Sequence, residues 1–152
     1  MDPLIKKLNY KDQKLVAILG APDSFEPTME RWRELADVDT HLKGETRYDF
    51  VLAFVQTVSD IRQYAGQLKS HLVEDPVFWF AYPKKSSKKY DSDISRDNGW
   101  EAIGEMGMEG VRQVAIDEDW SALRFRPAAH IKTMKRDARH ALSKEGKKRT
   151  EG

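Results

Sequence analysis

A three-layer α/β fold, built on an open, mainly parallel sheet with a C-terminal antiparallel hairpin, is predicted by three features of this 152-residue sequence. Short apolar runs bounded by Gly or Pro alternate with segments of helical periodicity. One run, "YDFVLAFV" at 48–55, is nearly continuous in the way a strand covered on both faces must be. Two final runs, "VRQVAI" and "SALRFRP", are joined by the tight acidic connection "DEDW", which predicts a hairpin.

Each element follows from its local pattern. "KLVAILGAP" at 14–22 ends in Gly and Pro and reads as the first strand. A helix follows over "DSFEPTMERWRELADV": Asp23 or Ser24 can cap it, Pro27 is tolerable in its first turn, and Phe25, Met29 and Trp32 share a face. A short second strand is placed around "DTHLKG", so that Asp39 precedes it. After "YDFVLAFV", "TVSDIRQYAGQLKSHL" puts Val58, Ile61, Tyr64, Ala65, Leu68 and Leu72 on one face, with Thr57 and Asp60 at capping-box spacing. "PVFWFAYP" at 76–83 is the next strand. "DNGWEAIGEMGMEGV" is predicted as a helix capped by Asp97, with Trp100 and Ile103 facing inward.

Composition bounds the chemistry. Hydrophobic residues at 39% and aromatics at 10% suit a folded chain, and 34% charged residues suit a wet surface. Cysteine is absent, which excludes disulfides, thiolate catalysis and cysteine-ligated metals. The opening "MDPLIKKLNYKDQ" has no apolar leader, and no run approaches the roughly 18 residues a membrane span needs. The expectation is a cytoplasmic protein without a membrane partner. Charge is unevenly placed: residues 131–152 carry eight basic and three acidic side chains, net +5, leaving 18 basic and 22 acidic in the first 130, net −4. Residues 1–130 therefore read as a single α/β domain and 131–152 as a basic tail, helical or disordered, that could touch nucleic acid.

In an open parallel sheet a ligand sits beyond the carboxyl ends of the strands. Three loops belong there: "GAPDSF", "QTVSD" and "PKKSSKKYDSDIS". In the last, Lys84 and Lys85 directly follow Pro83 and can bind an anion as point charges, whereas Lys88 and Lys89 read rather as a solvated loop. "LGAPDSF" sits where nucleotide-binding folds carry a glycine-rich turn, but Gly20 stands alone and Pro22 lacks an N–H, so no dinucleotide or adenosylmethionine cofactor is expected. No catalytic residues are assigned: Ser121 lacks a nucleophile elbow, and His41, His71, His130 and His140 show no metal spacing. Asp117, Glu118 and Asp119 read as an exposed turn before a cation site. Arg124 and Arg126 share one face of the last strand, where they either pair with helix carboxylates or join Lys84 around an anion.

"FWFAYPKK", "SDISRDNGW" and "VRQVAIDEDWSALRFRP" together resemble a family of small bacterial domains of unknown function, in which a strand ends in Pro-Lys-Lys and an Asp-x-x-Trp-Ser turn joins the last strands. The likeness spans roughly residues 8–127. It implies a trimmed Rossmann-like sheet similar to that of methyltransferases, with a degraded cofactor glycine motif and no established activity. The positions that carry it are Pro83, Lys84, Lys85, Asp117, Trp120 and Ser121. The expected function is therefore a non-catalytic domain that binds an anionic small molecule or protein partner through Pro83, Lys84, Lys85, Arg124 and Gly20. The alternatives are a divergent methyltransferase-like transferase, and a nucleic-acid binder using the tail with Lys88, Lys89 and Tyr90.

Overall fold

The computed structural model describes residues 1–131. The basic tail predicted for 131–152 lies outside them, apart from Ile131. A six-stranded sheet forms the middle layer: β1 (Leu15–Leu19), β2 (Asp37–Asp39), β3 (Tyr48–Phe54), β4 (Leu72–Pro83), β5 (Met108–Ala115) and β6 (Trp120–Pro127), in the order β2-β1-β3-β4-β6-β5. The first four are mutually parallel and β6 runs antiparallel to both its neighbours. The hairpin is as predicted, with one refinement: the reversed strand is β6, one place in from the edge, and β5 forms the edge itself.

Helices cover both faces. On one, α1 (Pro3–Lys7) and α2 (Glu26–Arg33) enclose Ile5, Leu8, Phe25, Met29 and Trp32 with Val16, Ile18, Phe50, Leu52 and Trp79. On the other, α3 (Val58–Leu68) and α4 (Glu101–Glu105) bury Ile61, Leu68, Trp100 and Ile103 against Val51, Phe78, Phe80 and Phe125. Both faces of β3 from Phe50 and of β4 from Phe78 are thus dry, which is why these stretches read as continuous apolar runs. The capping box of α3 is present: Thr57 Oγ1 accepts from the Asp60 N–H at 3.1 Å, and the Asp60 carboxylate accepts from the Thr57 N–H at 3.1 Å.

Five boundaries depart from expectation. Strand β2 occupies 37–39, so Asp39 ends it and does not precede it. Strand β4 starts at Leu72, four residues before the apolar run. Asp97 caps nothing: α4 is only five residues long, begins at Glu101, and no side chain caps it. Residues 108–111, read as the end of that helix, open β5 instead, because Gly107 at φ +80° turns the chain and pairing with β6 begins. Likewise neither Asp23 nor Ser24 caps α2; both lie in a single 3-10 turn (Asp23–Phe25) that leads into it.

Candidate functional site

Parallel order reverses at β1, whose two neighbours β2 and β3 are reached by chains leaving in opposite directions. The crevice beyond these carboxyl ends is where the sequence places a ligand. The loop after β4 crosses this end of the sheet and is fixed at both ends. On the hairpin side the Lys84 N–H donates to the Asp119 carbonyl at 2.8 Å, and Ser87 Oγ donates to the Asp119 carboxylate at 2.8 Å. On the α3 side Ser92 Oγ donates to the Gln56 carbonyl at 2.6 Å, and the Val58 N–H donates to Asp93 Oδ1 at 2.9 Å. The hairpin acids therefore have structural work. Asp117 Oδ1 accepts the Asp119 and Trp120 N–H groups, as an Asx turn requires, and no metal-binding cluster occurs among the described residues.

A concavity of about 460 Å³ opens beside this loop on the α4 side. Its walls bring Pro83, Lys84 and Lys85 together with Arg96, Ser121 and Gln113. Three cations face it against one acid, Asp97. Gln113 Nε2 donates to the Tyr82 hydroxyl at 2.9 Å. Burial raises the Tyr82 phenol above its ordinary range, against the pull of Arg96, so the hydroxyl keeps its proton for donation. Arg96 was missed from sequence; its only signal was a basic residue in the same long loop as the lysines.

The structure does not bring the other two expected residues here. Arg124 pairs with Trp79 on β4, four residues along β6 from Trp120, which pairs with Pro83. It lies on the α1 face and donates to Asn9 Oδ1 at 3.2 Å. The alternation rule assigned its face correctly but not its height on the sheet. Gly20 lines a separate cleft of about 540 Å³ with Asp23, Gln56, Asp60, Lys89 and Trp120. Lys89 thus stands at a cleft, its Nζ 5.6 Å from the centre of the Tyr90 ring, which in turn packs on Trp120 at 5.0 Å.

The groups by which such a crevice would hold a nucleotide are engaged within the chain. Gly20 has φ +67°, and a Cβ there would stand 3.0 Å from both the Phe54 carbonyl oxygen and the Tyr64 hydroxyl. The first N–H of α3 is taken by Asp93. Asp39, at the end of β2 where an acid would meet ribose hydroxyls, accepts from the Tyr48 hydroxyl at 2.6 Å and pairs with Lys43 at 3.0 Å. Burial opposes the charge of Asp39, but the Tyr48 and Lys43 bonds outweigh it and hold its carboxyl below the usual 3.8. Burial and Asp39 push the Tyr48 phenol up to about 12.

A depressed carboxyl stabilises the fold above its unfolded value and loses that contribution as pH falls through the folded one. Tyr48→Phe is therefore expected to cost about 1–2 kcal/mol at pH 7 and to shallow the stability loss below about pH 4. Denaturant melts at pH 7 and from about pH 4 downward check both; an unchanged acid limb would mean the pair does not form.

No protein-family model matches the chain, and no curated protein does. Solved structures do resemble it in fold. A SAM-dependent methyltransferase from Aquifex aeolicus superposes with TM-score 0.55 at 13% identity, covering 82% of this chain and 87% of that one. A candidate type 11 methyltransferase from Sulfolobus solfataricus gives TM-score 0.55 at 11% identity, covering 91% and 95%. The chain therefore has a Rossmann-like, methyltransferase-type fold. Among the described residues no helix is long and apolar enough to cross a membrane.

Proposed function

We propose that this protein is a methyltransferase-fold domain that binds a small oxyanion, of the phosphate class, in the concavity beyond β4. The observation that carries this reading is the convergence of Lys84, Lys85 and Arg96 on one 460 Å³ space that holds a single acid. Lysines act there as point charges, Arg96 can present two N–H groups in a plane, and Tyr82 and Ser121 supply neutral hydroxyls. Nothing in this arrangement is a nucleophile paired with a base, so the reading is binding without turnover.

Titration with inorganic pyrophosphate by calorimetry is the test. Wild type is expected to bind saturably, and Lys84→Ala/Lys85→Ala to weaken binding about tenfold or more with the fold intact by circular dichroism. Both lysines are solvent-accessible, so raised salt should weaken wild-type binding as well. Equal affinity in the double variant would sink the proposal.

A divergent methyltransferase-like transferase is the second reading, favoured by the fold likeness and by the place of Asp39 at the end of β2. The crowding over Gly20 and the internal partners of Asp39 do not fit a bound adenosylmethionine. Stoichiometric, saturable binding of adenosylmethionine by calorimetry would put this reading first.

A further inference from the structure

The strands that carry the proposed anion site present a second cationic group on the opposite face. Arg112 on β5 and Arg124 on β6 are direct cross-strand partners. Their neighbours Val114 and Ala122 pair in the same register and pack with the α1 and α2 layer, which fixes the face both arginines share. Like charges placed directly opposite across a ladder repel, so this pairing costs stability unless an anion lies between them.

The acids beside the cluster are already committed: Glu109, buried and directly across the ladder from Arg126, is itself engaged. Asp75 faces the cluster from the start of β4, but Arg126 grips it with two bonds, Nε at 3.1 Å and Nη2 at 2.7 Å. That grip holds the Asp75 carboxyl below its usual range. Arg124 is left with a neutral partner, the Asn9 amide oxygen. Asn9 is held in place at the end of α1 with φ +65°, a backbone region asparagine enters more easily than most residues. Among the described residues, Arg124 Nε is buried and has no hydrogen-bond partner. Burial and the charge of Arg126 disfavour the Arg124 cation, Asp75 favours it, and Arg112 adds to the repulsion. A half-buried guanidinium fixed by an amide, with an exposed guanidinium opposite and the neighbouring Asp75 gripped by Arg126, leaves an excess of positive charge among the described residues that an oxyanion would relieve.

We infer that Arg112 and Arg124, steadied by Asn9, form a second oxyanion site of the phosphate class on the α1 face, separate from the Lys84 concavity. Two guanidiniums on adjacent strands match the bidentate geometry of phosphate oxygens better than lysines do.

The buried Nε–H of Arg124 gives a direct probe, because shielding from solvent should keep its amide-type signal visible in a proton–nitrogen correlation spectrum. Inorganic phosphate is expected to shift that signal saturably in wild type and equally in Lys84→Ala/Lys85→Ala. In Arg112→Ala, a change at an exposed position, the apparent affinity should fall about tenfold. A signal that does not move, or that moves with the same affinity in Arg112→Ala, overturns the inference. Loss of the shift in the double lysine variant also overturns it, and assigns phosphate binding to the β4 concavity alone.

Discussion

Replacing Trp79 by alanine is expected to remove about 4 kcal/mol of folding stability, which approaches the whole margin of a domain this size. Trp79 is fully buried at the centre of the sheet, level with Leu52 on β3 and Arg124 on β6. Its ring fills the space under α1, and its Nε1–H donates to the Leu8 carbonyl at 2.8 Å. Truncation therefore opens a cavity and orphans an acceptor at the end of a short helix. Trp79→Phe separates the two effects, since it keeps most of the ring and loses the N–H; about 1–2 kcal/mol is expected. Urea denaturation with an unchanged m-value measures both. A loss below about 2 kcal/mol for the alanine variant would mean that α1 repacks and that Trp79 does not hold it. The alanine variant has a second consequence: α1 positions Asn9, so the Nε–H signal of Arg124 should broaden or shift in it even without phosphate.

What the sequence made legible follows the range of the interactions involved. Strands β1, β3 and β4 were readable because burial on both faces writes itself as an unbroken apolar run, and α3 because its capping box and apolar stripe are local. Strand β2 was misplaced because three residues carry no period; only pairing with Leu15, Val16 and Ala17 makes Asp37–Asp39 a strand. The opening of β5 read as helix because Trp100 and Ile103 begin a helical spacing just before it, and the turn at Gly107 is decided by the partner strand. The same limit governs the site. Pro83, Lys84 and Lys85 were expected together from their place after a strand and line one concavity, whereas Arg96 comes to them only through the path of the long loop. Arg124 was assigned to their neighbourhood because strand alternation gives a face, while its distance along the sheet is set by antiparallel pairing of Trp120 with Pro83. A lone glycine after β1 argued against a glycine-rich cofactor turn, but the reasons that position is glycine, its φ of +67° and the Phe54 and Tyr64 atoms packed over it, are not local in sequence.

Those reasons make Gly20→Ala the second large effect, an expected loss of about 2–3 kcal/mol. Roughly 1 kcal/mol arises from placing a Cβ at φ +67°, where L residues other than Asn and Asp are disfavoured. The rest arises from crowding, because the added carbon would meet the Phe54 carbonyl oxygen and the Tyr64 hydroxyl, each at 3.0 Å. The two contacts differ in how they can yield. Phe54 O belongs to the backbone of a central strand and cannot retreat without disturbing its pairing, whereas removing the Tyr64 hydroxyl clears its side at once. The double variant Gly20→Ala/Tyr64→Phe should therefore recover only part of the loss, with a coupling of about 0.5–1 kcal/mol from the double-mutant cycle. A Gly20→Ala cost under about 0.5 kcal/mol would mean that the turn after β1 is looser than drawn. A full cost with no coupling would mean something more useful: Tyr64 does not rest on Gly20 in solution, the space over that turn is free, and the methyltransferase-like reading gains the room it needs for a cofactor. Coupling of the expected size instead means that α3 occupies the approach a nucleotide would take, and leaves the cationic concavity beyond β4 as the place at the carboxyl ends of the strands where a small oxyanion can enter.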